Sequence, residues 1–182
     1  MILIVDMNWK PKSLGCNEFV MPILDVVEKL DECIVKHYLE VSKRELDGCD
    51  RFILSGTALK DNEFIANSER FYWLKETEKP VLGICAGMEI IGAVFGARLS
   101  TSLEIGMTPV TTKKENPLFT GNFKVYSLHS IYVEASEQFE TLAQSTKCIQ
   151  SSKHKNKPIY SVLFHPEVRN QEIIKNFIEK IS

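Results

Sequence analysis

The first half of the chain alternates short, wholly apolar runs with stretches whose apolar residues recur at helical spacing. Ile2–Asp6 reads as a strand buried on both faces. Phe19 to Leu30 follows with Phe19, Ile23, Val26, Val27 and Leu30 on one helical face, and Pro22 fits there only in the first turn. Cys33–Val41 is rich in strand-forming residues, and Arg51–Ser55 is a short run ending at Gly56. A helix through Phe71 and Leu74, capped by Asp61 or Ser68, stops before Pro80. A buried strand, Val81–Ile84, then leads into an apolar helix, Met88–Phe95. Alternation of this kind predicts a parallel sheet covered by helices.

The second half changes character. Pro109–Thr112, Phe123–Leu128, Ile131–Ala135, Phe139–Ala143, Ile149–Ser151 and Ile159–Phe164 read as short strands separated by turns. They fit antiparallel additions towards a sheet edge. Glu172–Ile181 closes the chain as an amphipathic helix with Ile173, Ile174, Phe177, Ile178 and Ile181 inward. The expected fold is α/β: an open, mostly parallel sheet flanked by helices, with antiparallel edge strands, in a single domain over residues 1–182.

Composition narrows the function classes. With 22 basic and 24 acidic side chains in 182 residues, the net charge is −2, which gives no electrostatic reason to expect nucleic acid. No apolar run approaches the roughly 18 residues of a spanning helix, so no membrane partner is expected. The segment Met1–Asp6 lacks a basic flank and reads as a strand, not a leader. The five cysteines, Cys16, Cys33, Cys49, Cys85 and Cys148, form no CxxC pair. A disulfide framework or a zinc ribbon is therefore not expected, and neither is a metal or another cofactor. A reducing compartment, the cytoplasm, is the expected location.

The chemistry concentrates in two places. In Gly83-Ile84-Cys85-Ala86-Gly87, a strand runs directly into a helix with Cys85 at the junction. A side chain on such a sharp elbow leaves no room at the positions two residues away, which explains the glycines. The helix N-terminus would favour the thiolate, and the Ala86 N–H would point where an oxyanion develops. At the end of the last strand stands His165-Pro166-Glu167. Residues i and i+2 of an extended segment share a side, so Glu167 can bond one ring nitrogen and leave the other for a nucleophile. Both sites fall at strand ends, where open α/β sheets bind ligands. His37 lies within a strand, and His154 in a charged Lys153–Lys157 turn.

These pieces make the sequence resemble the class I (triad) glutamine amidotransferases. The resemblance rests on Gly83–Glu89, Val162–Glu167 and Phe52–Gly56, with weaker support from Glu104–Val110 and Leu128–Ser130, and it covers essentially the whole chain. It implies that Cys85 attacks the side-chain amide of glutamine to form a γ-glutamyl thioester, with His165 as proton carrier and Glu167 orienting it. The oxyanion hole would combine Ala86 with Thr57, and Gly56, Glu89, Ser130 and Ile131 would contact substrate. The ammonia released would pass to a separate synthetase subunit. Within the family, length and layout resemble the amidotransferase subunits of two-subunit GMP synthases; Leu128-His129-Ser130 is also similar to anthranilate and aminodeoxychorismate synthase subunits.

Two positions depart from the family pattern. Glu89 stands where glutamine is usual; ionised, it would repel a substrate carboxylate, raise the thiol pKa and attract an α-ammonium group. Thr57 stands where the family has glycine, and a β-branched residue resists positive φ. The loop Met7–Gly15 also lacks the family pattern and receives no role. A hydrolase of another γ-glutamyl amide and a catalytically weak regulatory subunit therefore remain as alternatives.

Overall fold

The computed structural model describes all residues from Met1 to Ser182. Fifteen regular elements follow one another: β1 (Ile2–Asp6), α1 (Met21–Val27), β2 (Cys33–His37), α2 (Lys43–Gly48), β3 (Arg51–Leu54), α3 (Glu63–Ala66), α4 (Trp73–Glu76), β4 (Val81–Ile84), α5 (Ala86–Val94), β5 (Leu99–Thr112), β6 (Asn122–Val133), β7 (Phe139–Gln144), β8 (Ile149–His154), β9 (Ile159–Val162) and α6 (Glu172–Lys180). The strands form one nine-stranded sheet in the order β2-β1-β3-β4-β9-β8-β7-β5-β6. Its first five strands run parallel, and every later pairing is antiparallel. No helix is long and apolar enough to cross a membrane.

The two-residue period of the strands divides the core into two layers. From β1, Ile2 and Ile4 enter the layer beneath α1 and α6, where Ile23, Val27, Ile173 and Phe177 meet them. Leu3 and Val5 enter the opposite layer, shared with Phe64, Leu74, Ile90 and Ile91 from α3, α4 and α5. Because both faces are covered, β1 is buried along its whole length.

Several elements differ from the expectation. The helix expected to end before Pro80 is broken into α3, a 3-10 turn at Ser68–Phe71, and α4. Neither Asp61 nor Ser68 caps it: Asn62 precedes α3, and Asp61 is recruited by Thr57 and Trp9. The helix α2 has no apolar stripe to announce it, yet Ser42 and Glu45 form a reciprocal capping box that is readable as Ser-x-x-Glu. Two expected strands merge into β6, and β5 starts ten residues before Pro109 because its exposed face carries Leu103, Ile105 and Met107 and hides the alternation. His154 is not in a solvated turn; it ends β8, is buried, and packs between Phe95 and Phe139.

The α6 anchor offers a stability test. Phe177 is fully buried between the sheet and α1. Phe177→Ala should lower the unfolding free energy by about 3–5 kcal/mol, read from the midpoint of a denaturant titration at unchanged slope; a shift below about 1 kcal/mol would contradict this packing.

Candidate active site

Cys85 lies between β4 and α5 with φ 49° and ψ −103°, a conformation that non-glycine residues rarely adopt. The two flanking glycines make it possible. A Cβ on Gly83 would lie 2.6 Å from the Gly87 backbone, and one on Gly87 would lie 2.6 Å from the Leu54 carbonyl oxygen. These neighbours are main chain and cannot yield. The Gly87 N–H donates to the Ser55 carbonyl at 3.2 Å, tying the elbow to the end of β3.

Just beyond β9, His165 is buried and its Nδ1 lies 2.7 Å from Glu167 Oε1. The pair sits in a turn, with Val168 N–H and Arg169 N–H both donating to the His165 carbonyl, and not on extended strand as the spacing predicts. Phe19 packs on the imidazole with ring centroids 5.5 Å apart, and the main chain of His165 donates to the Tyr126 carbonyl at 2.9 Å. A Cβ on Gly56 would stand 2.6 Å from His165 Cε1 and 3.4 Å from Cys85 Cβ. Gly56 therefore backs the histidine ring and lets it approach the cysteine. The His165 Nε2 atom is buried without a hydrogen-bond partner, and Cys85 Sγ donates to the Leu128 carbonyl at 3.6 Å.

Thr57, Cys85, Ala86, Glu89, Ser130 and Ile131 line one cavity with a volume of about 10 Å³, room for no more than one water. Cys85 is accordingly only 4% exposed. A surface groove of about 750 Å³ lies elsewhere, lined by Lys43, Trp73 and Lys79. It contains none of the candidate site residues.

The closed cavity overturns one electrostatic expectation. Burial pushes the Cys85 thiol up, and the downward pull of His165 does not offset it. Burial would by itself lower the His165 ring, but Cys85 and Glu167 outweigh it and hold the ring well above the ordinary histidine value. Glu89 is pushed up to about 8 by burial, against the pull of His165. At neutral pH it is an uncharged acid that can donate a hydrogen bond as well as accept one, so the repulsion expected of an ionised carboxylate is absent.

The Thr57 backbone keeps negative φ, as β-branching requires. Its hydroxyl lies 3.1 Å from Asn8 Oδ1 and 2.6 Å from Asp61 Oδ2, and the Trp9 N–H donates to the same Asp61 oxygen at 2.6 Å. The Asn8 carbonyl is held in turn by His37 Nε2 at 2.6 Å. The Met7–Gly15 loop thus clasps the loop after Gly56. Sequence reasoning missed Asn8 and Asp61; the one available signal was that Asn8 follows the carboxyl end of β1, where α/β sheets gather their sites.

Glu104, His129 and Cys148 bring metal-ligating atoms within 4.8 Å of one another. The amide nitrogen of Gln150 stands among them, 2.6 Å from Glu104 Oε2, 3.3 Å from Cys148 Sγ and 3.4 Å from His129 Nε2. A hydrogen-bond donor fills the centre a cation would take.

Known proteins resemble this chain in sequence and in fold. The sequence profile of the family described as "Glutamine amidotransferase class-I" matches residues 17–181. The chain is 42% identical over 115 residues to a glutamine-hydrolyzing GMP synthase subunit of Methanococcus maripaludis, covering 57% of this chain and 61% of that one. It is 32% identical over 151 residues to the protein of the same description from Thermoplasma volcanium, covering 76% and 75%. The chain thus spans about 61% of the length of the first curated relatives. A crystal structure of a candidate GMP synthase subunit from Thermoplasma acidophilum superposes with a TM-score of 0.84 at 26% identity, over 98% of this chain and 92% of that one. A Thermotoga maritima glutamine amidotransferase shares the fold, with a TM-score of 0.72 at 21% identity over 98% and 80%.

The buried Glu89 makes stability pH-dependent with a defined sign. Its folded-state pKa of about 8 lies above the ordinary 4.5. The contribution of the protonated form is therefore complete below about pH 4.5 and is lost as pH rises to about 8. Glu89→Gln has no proton to lose. Its stability relative to the unsubstituted chain should improve by a few kcal/mol between pH 5 and 8 and level off above; parallel thermal-unfolding profiles would show that Glu89 does not titrate in a buried pocket.

Proposed function

The chain belongs to the class-I glutamine amidotransferases, and from that premise we propose that residues 1–182 act as a single amidotransferase domain. It hydrolyses glutamine through Cys85, His165 and Glu167 and delivers ammonia to a separate synthetase subunit of the GMP synthase type. The observation that carries this reading is the buried 2.7 Å contact between His165 and Glu167 beside a cysteine strained into positive φ. The description of the curated relatives as subunits supports a partner that uses the ammonia.

The chemistry follows from these positions. Once the site is hydrated, the Cys85 proton rests on His165 Nε2, whose ring is held above the ordinary value, and Sγ attacks the amide carbon as a thiolate; the oxyanion is met by the N–H groups of Ala86 and Thr57. His165 returns the proton to the departing nitrogen, which leaves as ammonia, and a γ-glutamyl thioester remains on Sγ. Water then attacks the thioester; His165 takes one of its protons and passes it to the thiolate, releasing glutamate. Glu167 holds the imidazole in orientation throughout. In this reading Ser130 and Ile131, which line the cavity, contact the amino-acid end of glutamine, and Glu89 stands one helical turn from Cys85 as an uncharged donor and acceptor, the hydrogen-bonding counterpart of an amide.

A cavity of about 10 Å³ does not admit glutamine. Substrate entry requires the Ala58–Asn62 stretch of the covering loop to swing away while the Thr57 N–H stays in place, breaking the Thr57 hydroxyl bond to Asp61. Opening also hydrates Cys85 and relieves the burial that holds its thiol up. A partner that stabilises the open loop would thereby couple glutamine hydrolysis to its own need for ammonia.

Incubation with a glutamine-analogue diazoketone should alkylate Cys85, located by mass spectrometry, and excess glutamine should block the adduct. Cys85→Ala should reduce ammonia release by at least about 10⁴-fold. Equal ammonia release by that variant overturns the proposal. Rapid alkylation by iodoacetamide that glutamine fails to slow points instead to another γ-glutamyl amide as substrate.

A further inference from the structure

The residues nearest the cavity on the second half of the chain, Leu128 to Ile131, belong to β6, the outermost strand of the sheet. Its neighbour β5 joins β7 only through Thr111 and Thr112. That junction lies at the far end of the ribbon, roughly 20 Å along the strand from Glu104. Beside the active site the ribbon therefore has no ladder to the body of the sheet, only the single main-chain bond from the His165 N–H to the Tyr126 carbonyl at 2.9 Å.

A side-chain hub supplements that one bond. The single oxygen Oε2 of Glu104 meets Gln150 Nε2 at 2.6 Å, Ser145 Oγ at 3.2 Å, Cys148 Sγ at 3.3 Å and His129 Nε2 at 3.2 Å. Three of these partners come from β8 and the turn before it, and the fourth from β6, so the carboxylate bridges ribbon and sheet. Burial holds His129 below the ordinary histidine value and Cys148 up to about 11, so both enter as uncharged groups with a proton to donate. The ring and the carboxylate are both buried, and charged-acceptor bonds of this kind are the strong ones.

A β-bulge brings Glu104 to this position. The pairing passes from Thr101↔Ile131 to Glu104↔His129, one extra residue on β5. Without that residue Leu103 would oppose His129 and Glu104 would turn to solvent. Instead Glu104 is buried and Leu103 is 57% exposed. The residues on either side of His129 touch the site: the Leu128 carbonyl accepts from Cys85 Sγ at 3.6 Å, and Ser130 Oγ donates to the Leu59 carbonyl of the covering loop at 3.4 Å.

We propose that Glu104 is a positioning residue for glutamine hydrolysis: through His129 it fixes the Leu128–Ile131 segment against Cys85 and the covering loop. The proposal rests on the glutaminase reading above for its consequence in catalysis, but the anchoring can be measured without substrate. In the full chain, Glu104→Gln should raise amide hydrogen exchange about tenfold or more in peptides covering 126–133, with little change at 109–112. It should raise the KM for glutamine about tenfold while kcat falls less than threefold, since the segment touches the bound amino acid more than the reacting bond. Ser145→Ala deletes one donor, leaves the carboxylate in place and guards against a general folding defect; the same local rise in exchange and a KM increase of about two- to threefold are expected. Combining Glu104→Gln with His129→Asn should raise KM no further than the larger single change, because both act on one connection.

Unchanged exchange at 126–133 in both Glu104→Gln and Ser145→Ala overturns the proposal. So does exchange that rises evenly along the ribbon, or a double variant whose effects add. Local exchange with unchanged KM overturns the link to catalysis. If the unsubstituted chain neither hydrolyses glutamine nor is protected by it, the glutaminase reading fails, while the exchange data still decide whether Glu104 holds the segment.

Discussion

A cysteine at positive φ, wedged between a strand and a helix, is the constraint around which the rest of the site is arranged. Such a conformation costs on the order of 1–3 kcal/mol and persists only when the surroundings over-determine it. Here they do so with main chain: Gly83 and Gly87 bring β4, α5 and the end of β3 into contact at distances no Cβ could tolerate. Held there, Sγ donates to the Leu128 carbonyl at 3.6 Å. Parallel neighbours β3, β4 and β9 all end on one side, so Ser55–Thr57, Cys85 and His165 meet at a single edge.

Burial then opposes what position favours. A nearby imidazole stabilises a thiolate, but removal from water dominates, and the thiol lies above its ordinary value. The closed cavity, the Thr57–Asn8–Asp61 clasp and the uncharged Glu89 share one cause, exclusion of water from the strand ends. The site in this state is protected more than it is reactive. The opening proposed above would break a few hydrogen bonds in a loop and leave the elbow's main-chain contacts in place.

The second half of the chain solves a different problem. A long two-stranded ribbon at a sheet edge twists easily and has few ladder bonds to its neighbours. One carboxylate oxygen with four convergent partners replaces them near the cavity. Removing a member of such a hub leaves the others buried without partners, so its members depend on one another more than a surface ion pair would.

Much of this was legible without coordinates. The apolar runs at Ile2–Asp6 and Val81–Ile84, the helical spacing of Glu172–Ile181 and the glycines flanking Cys85 are local patterns, set by side-chain period and by sterics within a few residues. They determined the α/β class, the elbow and the candidate trio of cysteine, histidine and glutamate. What the tertiary structure alone decided depends on groups far apart in sequence. Asn8, Thr57 and Asp61 form their clasp only because three loops end at the same edge of the sheet. Glu104 could not be told from a surface carboxylate, because a one-residue bulge chooses whether it or Leu103 faces inward. The charge states of Cys85 and Glu89 were likewise beyond local reading: a pKa follows from how much water and which charges surround a group, and packing across the whole fold sets both.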